Sequence, residues 1–468
     1  GGSFCFAGAL RDGVVYSAWF NNSGFVEENM QGERKTLTQL SVPICLETLF
    51  YMLSGMVDTL MLSSVSDQAV GAVGTANTYI GVFIIMFGVI SSGMVAVMSQ
   101  NIGAGKPGIA YQARQLGLVF NALTGILMSF ILAAFSGWIL KIVSIAPALL
   151  EPAETYLKIV GGASFLNALI PIFSSYLRVF GYTKHSLIGT VVGNVINIIL
   201  NSVFLFVFNW GVMGVAAATV FSKVVNLIIV AAMGAVLIKA KQSPERAQPR
   251  KILAQIVKIG FPSAFETALY NVAMTFIVCF MNHMDTDGMN VTARSYAMQI
   301  ANFSYCVGAA LAQANAIMTG WRIGAKKYEE CDRGTRKAVI YGLVTATCFS
   351  VTFAMTGRFI VHIFTDDTQM IELVVKLLIV DIFLEFGRVT NLVYGQALKT
   401  SGDAIFPVIM GAIFMYLFAV GGTYFLGIHM GLLAVGAYIA MAGDECARAV
   451  GMVLRWKSGK WKSKSLVE

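Results

Sequence analysis

The chain has 468 residues, of which 57% are hydrophobic and only 12% charged, with a formal net charge of +8. A soluble domain of this length needs far more charge to cover its surface, so the composition points to a membrane protein. The seven cysteines are scattered, without a CxxC pair or a disulfide framework, which speaks against a metal site.

In chain order, Gly1–Asn29 lacks a basic segment followed by an apolar run, so it is not read as a signal peptide. Met30 is read as the initiator, residues 1–29 are expected to be disordered, and 1–37 forms an N-terminal segment. Seven stretches then contain no Asp, Glu, Lys, Arg or His: 68–105, 115–140, 159–177, 186–222, 295–321, 338–357 and 404–428. About 20 apolar residues cross a hydrocarbon core of roughly 30 Å, so each is long enough to span. Helices are expected at 38–64, 77–99, 115–141, 155–181, 186–208, 211–238, 254–282, 289–321, 336–364, 371–399, 404–427 and 431–455. That makes an all-α membrane protein with twelve transmembrane helices. A first lobe at 38–238 and a second at 254–455 are separated by a linker at 239–253 and followed by a basic tail at 456–468.

Lys and Arg gather on one side, in Lys239–Lys258, Arg322–Lys337 and Arg455–Lys464, with little opposite beyond Lys141, Arg294 and Arg358. The positive-inside rule makes the basic side, and both termini, cytoplasmic. The basic charge is thereby explained without nucleic acid.

The chain also repeats itself. Pro43-Ile-Cys-Leu-Glu47-Thr-Leu-Phe-Tyr51 recurs 219 residues later as Pro262-Ser-Ala-Phe-Glu266-Thr-Ala-Leu-Tyr270. Ile102-Gly-Ala-Gly-Lys106 recurs as Ile323-Gly-Ala-Lys-Lys327, and Leu177-Arg178-Val-Phe-Gly181 as Leu398-Lys399-Thr-Ser-Gly402, both at an offset of 221. Six helices return the chain to its starting side, so the halves are parallel copies related by an axis along the membrane normal. That plan suits a transporter with its cavity between lobes and alternating access by rocking.

At these residues the chain resembles the MATE (multidrug and toxic compound extrusion) family of the MOP superfamily. Pro43, Glu47 and Met56-Val-Asp58-Thr-Leu-Met carry the resemblance, with Gln100-Asn-Ile-Gly-Ala-Gly105, Asn197-Ile-Ile-Leu-Asn201 and Gly211-Val-Met-Gly. Leu398-Lys-Thr-Ser-Gly-Asp403 and Asp444-Glu-Cys-Ala-Arg448 carry it in the second half. The resemblance implies a bacterial, cation-coupled antiporter exporting small amphipathic or cationic compounds. NorM-like members place a glutamate where this chain has Tyr270, with Glu266 the nearest acid. The archaeal and DinF-like pattern, which this chain follows more closely, pairs an Asn with an Asp where Asn201 stands. The coupling ion, H⁺ or Na⁺, stays open.

Ionisable groups inside a span are costly, so each is a functional candidate. Asp58 falls in the outer half of the first helix. Asn194, Asn197 and Asn201 share one face of the fifth and reach a similar depth. Carboxylate and amide oxygens can hold Na⁺, or hydrogen-bond a carboxyl that cycles a proton. The bland alternative is that the asparagines only glue helices together. Glu47 and Lys223 are expected to pair and brace the first lobe, with Glu266 and Arg388 as the analogue in the second. Asp381, Glu385 and Arg388 are candidates for a cavity lining.

His185, His283, His362 and His429 form no catalytic pattern, and no GxxxxGK[ST] phosphate loop is present, so an enzyme or ATP-driven pump is not expected. No cofactor beyond the coupling ion is expected, and no metal beyond Na⁺ at Asp58. The expected partners of a monomer are a small-molecule substrate and the bilayer. A flippase for a lipid-linked saccharide is the alternative. It calls for clustered Arg and Lys in the span, whereas only Lys223, Lys376 and Arg388 lie well inside.

Overall fold

A computed structural model describes residues 35–142, 146–239, 243–284, 288–363 and 365–467. The expectation of disorder for 1–29, and the basic residues Arg34 and Lys241, lie outside these.

The described chain is helical, without strands, and forms twelve rods. They are α1 (Leu37–Ser63), α2 (Asp67–Gly103), α3 (Pro107–Ala134, followed by a short helix Ser136–Ile142), and α4. The last is built from Pro147–Tyr156 and Phe165–Val179 around a π-turn at Leu157–Gly161. Then come α5 (Thr183–Ser202, ending in a π-turn Val203–Val207) and α6 (Gly211–Leu237). The second half holds α7 (Pro249–Asn282), α8 (Met289–Gly324), α9 (Tyr328–His362) and α10 (Thr368–Ser401). It closes with α11 (Ile405–Phe414, continued by π-turns Met415–Val420 and Thr423–His429) and α12 (Leu433–Lys457).

Several helices begin earlier than expected from the sequence: α2 at 67 rather than 77, α7 at 249 rather than 254, α9 at 328 rather than 336. Local caps explain this. Ser66 accepts from the Ala69 N–H, Pro249 sits in the first turn of α7, and Glu329 and Glu330 occupy the first turn of α9. The apolar run marks the hydrocarbon span; the cap marks the helix end.

Eight rods are long and apolar enough to span a membrane, and α4, bent by 43° between its pieces, makes a ninth among the described residues. The other three, α8, α10 and α12, have 36, 34 and 25 residues, ample length for a span. Their lower hydropathy has a structural cause. They pack against one another, and Arg294, Asp381, Glu385, Asp444, Glu445 and Arg448 are all buried.

The repeat is visible in the backbone. Gly105 and Lys326 take left-handed conformations after α2 and α8, and Gly181 and Gly402 do so after α4 and α10. The two halves meet where α2 and α8 cross at the basic end. A Cβ on Gly103 would lie 2.0 Å from the Trp321 carbonyl oxygen, and one on Gly324 would lie 1.9 Å from that of Gln100. These contacts exchange repeat-equivalent residues at an offset of 221, which is what two parallel copies about a two-fold axis produce. Small residues let the backbones approach so closely. Gly93 against Ile256 and Gly260 against Val89 extend the seam between α2 and α7.

The tail is not loose. Lys460–Lys464 forms a 3₁₀ turn, and Trp461 is buried on Trp456 with ring centroids 4.2 Å apart. Gln100 Oε1 accepts from the Leu466 N–H at 2.8 Å, and the Gln255 amide donates to the Leu466 carbonyl at 2.9 Å, so this segment ties α2 to α7. Gly324→Ala forces the seam apart and is expected to cost about 1–3 kcal/mol, read as a lower thermal unfolding midpoint in detergent. Gly443→Ala, where nothing lies within 4 Å, is the control and should leave that midpoint in place.

Candidate functional site

In the first half, α1 carries two carboxylates eleven residues apart, about 16 Å along a helix. Glu47, nearer the basic end, is buried and bonded to Arg178 Nη2 at 2.8 Å. Ser186 donates to both of its oxygens at 3.0 Å, and Thr190 to Oε1 at 3.3 Å. The expected Glu47–Lys223 pair is therefore not formed. The second half corrects the analogous expectation: Glu266 binds Lys399 Nζ at 2.5 Å rather than Arg388. Arg178 and Lys399 are the matching positions of the third repeated stretch, so the signal was present in the sequence. Counting depth from helix ends favoured Lys223 and Arg388 because it ignores which helices become neighbours; α4 and α10 supply the true partners.

Asp58 meets the amides expected of it. The Asn201 side-chain N–H donates to Asp58 Oδ1 at 2.6 Å and lies 3.3 Å from Asn197 Oδ1. Asn197 and Asn201 are buried, and Asp58 is partly exposed. Asn194 does not join them. It turns to the Phe50 carbonyl at 2.7 Å, gluing α5 to α1. Tyr156 was missed by sequence reasoning; it lies in the first piece of α4 beside Asp58, with Asn77 and Thr219 as side-chain partners. Lys223 donates to Asn167 Oδ1 at 2.9 Å. Asp58 thus faces amides, hydroxyls and one nearby ammonium, without a contact ion pair among the described residues.

The second half contains a cavity of about 410 Å³ between α7, α8, α10, α11 and α12. Glu266, Asp381, Arg388, Lys399, Glu445 and Arg448 line it, with Tyr270, Tyr305 and Tyr438 and with Met274, Met298, Met415 and Met441. Arg388 bonds Glu385 one turn away and reaches Glu445 at 3.8 Å. Arg448 bonds Asp444 at 2.7 Å and Glu445 at 2.9 Å. Asn391 donates to Glu445 Oε2 at 2.9 Å. Of the three expected lining residues, Asp381 and Arg388 face the cavity, while Glu385 stands behind Arg388. Asp381 is 4% exposed and makes no ion pair among the described residues. Three acids, Glu266, Asp381 and Glu445, and three bases, Lys399, Arg388 and Arg448, line the chamber, so its wall is balanced in charge. Glu385 and Asp444 pair with Arg388 and Arg448 from outside the lining, and Asp381 is the acid left for a cationic guest. Glu445 and Arg448 carry this balance. They stood in the Asp444–Arg448 stretch of the sequence, but a stretch within one helix, read alone, gives no sign that it folds over a cavity.

Two parallel six-helix halves, joined at one end and each enclosing its own polar site, define a two-lobed membrane transporter. The MatE family model matches the chain twice, over residues 43–203 and 262–425, and the chain belongs to the MATE family. It is 31% identical to the uncharacterized transporter YisQ of Bacillus subtilis across 92% of this chain and 96% of that one. It is 25% identical to the probable multidrug resistance protein NorM of Thermotoga maritima across 94% and 96%. Among solved structures, a multidrug resistance MATE family transporter of the MOP superfamily in an outward-facing conformation superposes with a TM-score of 0.84. The identity there is 18%, covering 93% of this chain and 98% of that one. The protein is thus a multi-pass membrane transporter, not an enzyme.

The Glu47–Arg178 pair brings a stability prediction. Arg178→Gln leaves a buried carboxylate without its cation and is expected to cost about 3 kcal/mol, seen as an earlier unfolding midpoint. Glu47→Gln/Arg178→Gln, which removes both charges, should recover most of that loss.

Proposed function

We propose that this transporter is an antiporter driven by H⁺ or Na⁺ that exports small amphipathic or cationic compounds by alternating access. Its place is the bacterial cytoplasmic membrane, with both termini inside and the chain working as a monomer. The observation that carries this reading is Asp58, a carboxylate within a span that is bonded to Asn201 and left without a contact cation among the described residues. Such a group can take up a proton, or hold Na⁺ with amide oxygens of Asn197 and Asn201 turned toward it. The methionine- and tyrosine-lined chamber of the second half, with Asp381 on its wall outside any ion pair among the described residues, supports a cationic or amphipathic cargo, since polarizable side chains adapt to varied shapes. Relatives named as multidrug proteins, such as the multidrug export protein MepA of Staphylococcus aureus at 22% identity, point the same way.

The flippase alternative loses ground on the same geometry. Arg388, Lys399 and Arg448 are each held by carboxylates, so they offer a pyrophosphate little free positive charge.

Transport by the full chain in proteoliposomes tests the proposal, with ethidium as the probe and an imposed ΔpH or Na⁺ gradient. Asp58→Asn keeps the side-chain shape and removes the charge, so gradient-driven efflux should fall to the leak rate of empty liposomes while the protein stays monodisperse. Wild-type efflux by Asp58→Asn would move the coupling site to Glu266, Asp381 or Glu385.

A further inference from the structure

Lys223 is an ammonium within a membrane span, and the transport reading above gives it no task. Arg178, Arg388, Lys399 and Arg448 each touch a carboxylate. Lys223 instead donates to the neutral amide of Asn167 at 2.9 Å and makes no ion pair among the described residues. A charge in hydrocarbon bonded only to an amide is poorly compensated.

The repeat shows that no requirement of the fold puts a base there. The turns before α6 and α12 match at an offset of 222. Phe208 N–H bonds the Val203 carbonyl as Met430 does that of Phe425, and Trp210 bonds Phe204 as Leu432 does Leu426. Lys223 therefore corresponds to Glu445. Asn167, at the α4–α10 offset of 221, corresponds to Arg388. The Lys223–Asn167 contact stands where the second half has its Glu445–Arg388 pair at 3.8 Å. The second half places acid against base at this spot. The first half has a base against an amide, with its acid moved to Asp58, whose own counterpart is the apolar Ile277.

Asp58 is within electrostatic reach of Lys223. Thr219 and Lys223 lie one turn apart on one face of α6, and Thr219 meets Tyr156, which lies beside Asp58. The charged and titratable groups around Asp58 are thus Lys223 from α6, Tyr156 from α4 and, on α1, Tyr51 near Tyr156. Asn197 and Asn201 face it from α5.

We propose that Lys223 is a built-in counter-cation for Asp58: it joins the carboxylate when the coupling ion leaves and withdraws to Asn167 when the ion loads. A four-carbon stem gives the ammonium the reach to change partners. An empty site then carries no uncompensated negative charge while it moves, and the arriving ion must displace a tethered competitor. In the structure Asp58 is bonded to Asn201 and Lys223 to Asn167, the partners that the withdrawn position of the ammonium uses. This inference rests on Asp58 as the coupling carboxylate.

Ethidium efflux in proteoliposomes, measured across pH and Na⁺ concentration, reads the competition. Without the tethered ammonium, Lys223→Gln should move the half-maximal pH upward by about one unit, or, for Na⁺, lower the half-saturating concentration about tenfold. Lys223→Arg, which keeps the charge, should stay close to the wild-type midpoint. An unchanged midpoint in Lys223→Gln overturns the proposal. Should that variant transport too poorly to score, thermal unfolding of Asp58→Asn, Lys223→Gln and the double variant decides. Coupled charges make the double variant lose less than the sum of the two single losses, and simple additivity overturns the proposal. Wild-type efflux by Asp58→Asn, by contrast, would remove the coupling reading itself, while the unfolding cycle would still report whether the two charges interact.

Discussion

A charge enclosed in hydrocarbon must find an opposite charge, a set of dipoles or a wet cavity, and this requirement arranges the interior of the whole chain. Glu47 and Arg178 tie α1, α4 and α5 together, since Ser186 and Thr190 on α5 also reach the carboxylate. Glu266 and Lys399 do the same for α7 and α10. The two pairs are repeat copies, so each half is braced at the same place by the same chemistry. Where the constraint is met in a cavity instead, as at Asp381, a carboxylate is left available to a guest.

The halves then diverge around these braces. The second half keeps its charges together on α10 and α12, where Arg388, Glu385, Glu445, Asp444 and Arg448 form one network around a chamber. The first half has fewer charges and more amides, with Asn121, Asn167, Asn197 and Asn201 spread over α3, α4 and α5. A dense network suits binding of a substrate with several functional groups. A sparse one suits a single ion, because each added or removed charge is felt strongly where few others screen it. A shared scaffold thus offers two electrostatic environments, joined by the glycine seam at the basic end.

That seam depends on backbone meeting backbone. Gly103 and Gly324 bring α2 and α8 so close that any side chain would intrude, and the tail at Leu466 ties α2 to α7 beside that joint. Opening the basic end would break several contacts at once, a cooperative step of the kind that packed interfaces support.

By itself the sequence determined the spans, the repeat and the Asp58–Asn201 neighbourhood. Charge-free stretches measure hydrocarbon thickness, repeated Pro43 and Pro262 segments measure the offset, and helix periodicity sets Asn197 and Asn201 on one face. Each is a property of the chain read along its own axis. The tertiary structure alone decided which rods became neighbours. It gave Glu47 to Arg178 and Glu266 to Lys399, turned Asn194 away to Phe50, brought Tyr156 to Asp58, and folded Glu445 and Arg448 over the second chamber. These contacts link helices more than a hundred residues apart or depend on how α4 bends and α12 rotates. Depth along a helix cannot report them, because two residues at equal depth meet only when packing turns both helices to face each other.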